Sequence, residues 1–286
     1  MAVPTPPSGA RPTLEVVVPA YNEAVRLPGG LDALGARLAA LPVTASVLVV
    51  DNGSTDGTAQ VAAAWRGPVP VRVIGCPERG KGAAVRAGLL ATSARYVGFC
   101  DADMATDLSG LDDALALLGA GHPVVVGSRR HPSSLVEDYS HPLRKVGAIV
   151  FNRLTRDLAD GVTDTQCGFK FFDGPLARAA AADLVTTGFA FDVELLMHCA
   201  RRGAVITAIP VRWRDVPGST FSVRRHSARC LRDVVAIRMS ARRPASAPGA
   251  ARPEPVTAQS AIVPAQPGAA GVVALPLTEI SGAGPG

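Results

Sequence analysis

Tyr96-Val97-Gly98-Phe99-Cys100-Asp101-Ala102-Asp103 is the stretch on which the fold turns. An uncharged run leads straight into two aspartates. A short, unbroken apolar segment suits a strand buried on both faces, as in a parallel sheet. In such sheets ligands gather outside the carboxyl ends of the strands, so the acidic pair falls where chemistry is expected. Alternation in an extended segment points Asp101 and Asp103 to one side. Neighbouring carboxylates repel unless a cation neutralises them, and magnesium or manganese, shared with phosphate oxygens, fits that need. A solvated acidic turn is the plain alternative for any Asp-x-Asp; the preceding strand, fourth in a β-α series, weighs against it.

The series extends both ways from this segment. Residues 14–18 form an apolar run ending at Pro19, and 46–50 predict a second strand closed by a turn-rich segment from Asp51 to Gly57. Residues 69–74 predict a third strand and 123–126 a fifth. Helical spacing covers 27–41 through Leu31, Leu34 and Leu38, then 58–65, 83–93 and 111–118. This alternation predicts an α/β fold with a mostly parallel central sheet and helices on both faces. After Gly127 the pattern loosens: 144–158 reads as helix, 163–172 as mixed loop and strand, 192–202 as amphipathic helix, 205–211 as strand and 223–243 as a basic helix. The expected organisation is a disordered leader over 1–12, one domain over 13–243 with halves at about 13–127 and 128–243, and a disordered Pro/Ala/Gly-rich tail over 244–286.

Composition is that of a globular protein, with 48% apolar and 19% charged residues. The formal net charge of +5 is concentrated near the end, because residues 201–243 hold eleven arginines against Asp215 and Asp233. Basicity of that kind raises nucleic acid as a partner, but no stacking aromatics or nucleic-acid motif accompany it, so nucleic acid is not expected. The five cysteines (Cys76, Cys100, Cys167, Cys199, Cys230) have no metal-ligand or CxxC spacing and read as reduced cytosolic thiols in the core. No apolar run reaches membrane-spanning length, and the N-terminus lacks a signal peptide's apolar core.

Three of the predicted strands end in polar clusters: Ala20-Tyr21-Asn22-Glu23, the Asp51–Gly57 turn and the acidic pair. In the second, Asp56 reads as a helix cap, leaving Asp51 to accept hydrogen bonds from a ligand. Glu78-Arg79-Gly80-Lys81-Gly82 opens a helix whose N-terminus, with Lys81, favours an anion. It is not a Walker A loop, and no GxGxxG follows the first strand. Gly127-Ser128-Arg129 and Pro142-Leu143-Arg144-Lys145 place arginines suited to phosphate.

Pro19-Ala20-Tyr21-Asn22-Glu23, Asp51-Asn52-Gly53-Ser54-Thr55-Asp56-Gly57-Thr58, Gly80-Lys81-Gly82 and Asp101-Ala102-Asp103 together resemble family 2 glycosyltransferases of the GT-A fold, in order and in spacing. Gly127-Ser128-Arg129, Asp164-Thr165-Gln166-Cys167-Gly168-Phe169-Lys170 and Val216-Pro217-Gly218-Ser219 resemble the branch that sugars polyprenyl phosphates, and most of all its dolichyl-phosphate β-glucosyltransferases. The resemblance covers about 14–240.

It implies an inverting, metal-dependent transferase that moves a hexose, glucose from UDP-glucose, to a polyprenyl (dolichyl) phosphate. Pro19, Tyr21, Glu23 and Asp51 would hold base and ribose. Asp101, Ala102 and Asp103 would meet the sugar-diphosphate, Asp101 and Asp103 through Mg²⁺ or Mn²⁺. Lys81 and Arg214 would contact the donor's phosphates, while Arg129 and Arg144 would receive the acceptor phosphate. That phosphate is already anionic, so positioning and charge neutralisation carry the catalysis; a hydroxyl acceptor would need a base, for which Asp164 is the candidate. The alternatives are GDP-mannose as donor, a non-lipid acceptor, and a nucleotide-sugar binder without turnover, which would have no use for acceptor arginines. Thr220 stands where relatives often carry lysine, and Ala105 where mannosyl relatives place a glutamine, which leans towards the glucosyl branch.

Many relatives carry membrane helices, and none is visible here. Arg225, Arg229 and Arg232 instead form one stripe of the basic helix, beside an expected apolar face of Leu231, Val234 and Val235. Such a helix can lie on an anionic bilayer. The expected location is therefore cytoplasmic, peripheral on the cytoplasmic face of the membrane.

Overall fold

The computed structural model describes residues 12–137, 151, 153–216 and 223–241, with side chains of the last segment from residue 230 onward. The leader up to residue 11, the segment with Arg144 and Lys145, residues 217–220, the side chains of Arg225 and Arg229, and the tail lie outside the described residues.

The main sheet contains β1 (Leu14–Ala20), β2 (Ala45–Asp51), β3 (Val71–Gly75), β4 (Tyr96–Cys100), β5 (Val124–Ser128), β7 (Phe169–Asp173) and β8 (Ile206–Pro210), in the order β3-β2-β1-β4-β7-β5-β8. A separate parallel pair joins β6 (Leu135–Glu137) to β9 (Arg212–Arg214). Among the described residues the helices of seven or more residues are α1 (Leu27–Ala39), α2 (Thr58–Ala64), α3 (Lys81–Ala91), α4 (Gly110–Gly119), α5 (Gly174–Ala182), α6 (Phe191–Arg201) and α7 (Val223–Ala241).

The sheet is parallel except for β7, which runs antiparallel between β4 and β5. The mostly parallel α/β sheet expected from the sequence is thus present, with an insertion that alternation did not foretell. The two faces of the sheet carry separate cores. Leu14, Val16, Val18, Tyr96 and Cys100 pack on one side with Leu31, Leu34 and Leu38 of α1 and Leu111 and Leu118 of α4. Val17, Val97 and Phe99 pack on the other with α3, α5 and α6. The period-two alternation along β1 and β4 is what divides them. Gly88 lets α3 lie close, since a Cβ there would sit 2.4 Å from Val17 Cγ1. A third cluster seats α7 on α6, with Val234 and Ile237 against Ala190, Val193 and Met197. Val234 therefore belongs to the inner face, and the outward apolar row is Leu231, Val235 and Met239, 55%, 49% and 69% exposed.

β7 holds an anomaly. Within Phe169-Lys170-Phe171-Phe172, Lys170 is fully buried. Its ammonium donates to Cys167 O at 2.6 Å and Asp192 Oδ1 at 2.5 Å, and lies 5.1 Å from the centre of the Phe99 ring. Burial pushes the Asp192 carboxyl up, against the opposing pull of Lys170 and then Lys81. A buried charge is tolerated only while it is paired and hydrogen-bonded, so this pair fixes the central β7 to the start of α6. Lys170→Met should lower stability to urea by about 3–5 kcal/mol by stranding Asp192. Lys170→Met with Asp192→Leu should recover most of that loss; equal stability of the single variant and the parent would remove the pair from this role.

Candidate active site

β1, β2 and β4 are adjacent and parallel, with Ala20 level with Asp51, so their carboxyl ends form one rim. The loops there are knitted together. Asn22, in the left-handed region at φ 55°, donates its N–H to Ser54 Oγ at 2.9 Å and accepts from Thr55 N–H at 2.9 Å. Asp56, one residue ahead of the Gly57 that occupies the cap position of α2, accepts from the amides of Ala24 and Thr58, at 3.0 and 3.1 Å. Glu23 N–H donates to Thr58 Oγ1 at 2.8 Å. Asn52, which motif reading passed over, donates to the carbonyls of Cys76 and Glu78 and accepts from Gly80 N–H at 2.8 Å, tying β2 to the glycine loop. Most polar residues of these loops hold loops, and they leave Asp51 Oδ1 buried with no hydrogen-bond partner among the described residues.

The predicted nucleotide side lines this rim. Tyr21 is exposed and Pro19 half-buried. Glu23 is gripped by Arg26 through Nε at 2.8 Å and Nη2 at 2.6 Å. Burial raises the Glu23 carboxyl above its usual range against that pull, and the nearby charge of Asp103 adds to the rise.

The acidic segment is a turn rather than a continuation of β4. Met104 N–H closes on Asp101 O at 3.0 Å, and Met104 takes φ 47°. Alternation therefore does not orient the two carboxylates; the turn does, with Ala102 buried. Asp103 Oδ1 accepts from Ala105 N–H at 3.2 Å. Its carboxyl is raised by burial and then by the charge of Asp101. Asp101 goes the other way: burial is the largest influence and acts upward, but Lys81, Lys170 and Arg129 together outweigh it and hold the carboxyl below its usual range. A Cβ on Gly168 would stand 2.1–2.5 Å from the Asp101 carboxylate, so the glycine of the Cys167-Gly168-Phe169 segment makes room for it.

The glycine loop departs from its expected use. Gly80 N–H is taken by Asn52, while the Gly82 and Ala83 amides donate to Thr187 O at 2.9 and 3.4 Å. A Cβ on Gly80 would lie 2.1 Å from Thr187 O. The glycines thus serve packing against residues 186–188, and the start of α3 does not offer these amides to a phosphate. Lys81 does meet an anion, the Asp101 carboxylate, with Nζ 2.5 Å from Oδ1.

At the end of β5, Arg129 and Asp164 form one unit. Arg129 donates to Asp164 from its backbone N–H at 2.9 Å and from Nε and Nη2, each at 2.8 Å. The guanidinium lies 5.6 Å from the Trp213 ring centre. Asp164 is 1% exposed. Burial acts to raise its carboxyl, yet the hydrogen bonds and charge of Arg129 prevail and hold it low. A carboxylate so occupied is a poor proton acceptor, and its hydrogen bonds make it an anchor for Arg129. Arg214 reaches the acidic turn through its backbone, with its N–H on Ala105 O at 2.9 Å, while its exposed side chain pairs with Glu137 at 3.3 Å. Lys170 and Asp192 joined this charge cluster unannounced; a lysine within a run of phenylalanines was the available signal.

A divalent cation fits the acidic turn. The mutual repulsion of Asp101 and Asp103 is what it would relieve. Among the described residues no group of three or more His, Cys, Asp or Glu gathers to hold a metal, so a cation there would complete its shell with diphosphate oxygens.

The glycosyl transferase family 2 model matches residues 15–181. The dolichyl-phosphate beta-glucosyltransferase of Drosophila melanogaster is 38% identical over 225 residues, 73% of this chain and 69% of the relative. Its counterpart from Dictyostelium discoideum is 33% identical over 241 residues, 79% of this chain and 73% of the relative. Among solved structures, glucosyl-3-phosphoglycerate synthase from Mycobacterium tuberculosis, in complex with Mn²⁺ and uridine-diphosphate-glucose, superposes with a TM-score of 0.60 at 22% identity, covering 80% of this chain and 79% of that one. That likeness shows the GT-A fold.

The Arg129–Asp164 unit carries a pH signature. A carboxyl with a depressed folded-state pKa contributes stability that is fully present above its unfolded value, about 3.9, and is lost as pH falls through the folded value. Asp164→Asn should therefore be less stable than the parent by about 3–5 kcal/mol near neutrality, with the gap narrowing below about pH 4. Urea unfolding from pH 7 to 3 checks this; a gap independent of pH would remove the ionised pair.

Proposed function

The chain belongs to glycosyl transferase family 2, and on that premise we propose that it transfers glucose from UDP-glucose to a polyprenyl phosphate such as dolichyl phosphate, with inversion. The observation that carries the reading is the juxtaposition of the Asp101–Asp103 turn, which lies beside Glu23 and Lys81, with an arginine fixed at the end of β5, across the intervening β7. The relatives at 33% and 38% identity, named for dolichyl phosphate and glucose, support the substrates.

In this reading the donor's nucleoside lies along the rim, with Pro19 and Tyr21 at its surface and the unpartnered Asp51 Oδ1 ready to accept a ribose or base donor. Glu23, already held by Arg26, shapes the wall of the rim. Asp101 and Asp103 hold Mg²⁺ or Mn²⁺, which when bound supplies charge neutralisation for the departing diphosphate. Lys81, and Arg214 from β9, add positive charge towards the same phosphates. Arg129, with Arg144 outside the described residues, receives the acceptor phosphate. An oxygen of that phosphate attacks the anomeric carbon; the new O–C1 bond forms as the bond from C1 to the β-phosphate oxygen breaks, and UDP leaves. The attacking oxygen is already ionised at neutral pH, so no residue has to remove a proton, in keeping with an Asp164 committed to Arg129.

The acceptor is a lipid, and no described helix is long and apolar enough to cross a membrane. The outer row of α7, Leu231, Val235 and Met239, is exposed beside Arg232. It suits peripheral contact with an anionic bilayer, the apolar row at the acyl boundary and arginine at the headgroups.

With a panel of nucleotide-sugars, polyprenyl phosphate and Mn²⁺ or Mg²⁺, UDP release from UDP-glucose should exceed release from every other donor; faster release from GDP-mannose would reassign the sugar. EDTA should abolish turnover, and Asp103→Ala should lower it by about 10²–10³-fold or more, the scale of one lost charge-stabilising contact. Full activity in chelator would remove the cation from the mechanism. The protein should sediment with phosphatidylserine vesicles and not with phosphatidylcholine vesicles, and Leu231→Asp with Val235→Asp should release it. Equal recovery in the supernatant with and without anionic lipid would rule the contact out.

A further inference from the structure

Lys81 stands against one of the two carboxylates that a cation at this turn would need. Its ammonium is 2.5 Å from Asp101 Oδ1, yet that oxygen receives no well-directed hydrogen bond from any described residue. The contact is a close ion pair, held by charge more than by direction. The backbone on both sides of Lys81 is pinned: Gly80 N–H to Asn52, Gly82 and Ala83 N–H to Thr187 O, with no room for a Cβ at either glycine. Only the flexible four-carbon stem can move. The side chain is 22% exposed, and a cleft of about 140 Å³ opens beside it, lined also by Arg79, Gly80, Gly188, Phe189, Cys230 and Asp233. The Asp101 carboxylate occupies the space left by the missing side chain of Gly168.

Resting on the reading that Asp101 and Asp103 hold a divalent cation, we infer that Lys81 is a resident counter-ion that keeps that place until the donor's diphosphate arrives, so that cation and nucleotide load together. A divalent ion arriving alone must displace an ammonium from Asp101 and then sit beside it, like charge against like charge. A diphosphate changes the balance, because its oxygens both complete the cation's shell and give the ammonium a new anionic partner. The device restrains the acidic turn from filling with a bare cation and makes the donor the second half of its own metal site. Reciprocity follows, since the nucleotide must gain from the cation the same factor that the cation gains from the nucleotide.

Free Mn²⁺, followed by its electron paramagnetic resonance signal, reads this directly on the full chain without turnover. In the parent protein, Mn²⁺ should bind weakly alone and some 5–150-fold more tightly with saturating UDP. Lys81→Gln should bind Mn²⁺ alone more tightly than the parent, by about tenfold, and lose most of the gain from UDP. Lys81→Arg, which keeps the charge, should retain the gain, and thermal melts confirm that each variant is folded. An unchanged or weaker affinity for Mn²⁺ alone in Lys81→Gln, with the parent still binding Mn²⁺ in the presence of UDP, overturns the counter-ion role and leaves the metal reading standing. No Mn²⁺ binding by the parent even with UDP brings down the metal reading, and this inference with it.

Discussion

Asp101 must stay ionised at the end of a strand every residue of which is buried. Desolvation alone would drive that carboxyl towards its neutral form, and the surroundings are arranged against it. Lys81 reaches it from the start of α3, Arg129 from the end of β5 and Lys170 from the middle of β7. The last two cations are themselves tied to further carboxylates, Arg129 to Asp164 and Lys170 to Asp192. The site is thus a lattice of alternating charges, half-buried at Lys81 and Asp101 and buried at Asp164, Lys170 and Asp192, in which removing a buried member strands another. The antiparallel β7 is what makes this possible, because it brings Gly168 and Lys170 between the two halves of an otherwise parallel sheet.

The polar loops around that lattice show a division of labour. Asn22, Ser54, Thr55, Asp56 and Thr58 spend their hydrogen-bonding capacity on one another and on nearby amides. Asn52 fastens the glycine loop from below. A turn motif of this density is easily mistaken for a row of ligand contacts. What distinguishes Asp51 is the buried oxygen left over after the loops have been satisfied, since a buried acceptor is costly unless something donates to it.

The front half of the fold was legible because its strands are short apolar runs with punctuated ends. β4 follows Tyr96–Cys100 without a shift, and α1, α2 and α4 match their apolar spacing to within a residue or two. β7 was not legible as a central strand, because a buried lysine breaks the apolar pattern and its partner Asp192 lies on another element. Single-chain periodicity carries no information about pairs separated by 22 residues. Alternation misjudged the acidic segment for a related reason: it assumes an extended chain, and Met104 N–H on Asp101 O bends it. For α7 the helical period was right while the face was wrong, since Val234 and Val235 are neighbours in sequence that point to opposite environments. The glycine loop shows the same limit, its composition fitting a phosphate cradle although the Thr187 carbonyl fills it.

The pairing of Arg129 with Asp164 bears on what kind of acceptor the site can serve. A hydroxyl nucleophile needs a nearby group able to take its proton, and such a group is most effective with a pKa near the working pH. Asp164 is driven the opposite way, accepting three hydrogen bonds from one arginine. What the arrangement provides is a guanidinium whose orientation is fixed before any ligand arrives, with Trp213 against it. Preorganised positive charge serves an acceptor that arrives already ionised, since it can bind and orient that anion without reorganising during the reaction. The carboxylate beside it keeps the site from accumulating unbalanced positive charge when empty. A phosphate acceptor is thus favoured by the same three hydrogen bonds that make Asp164 unfit as a base.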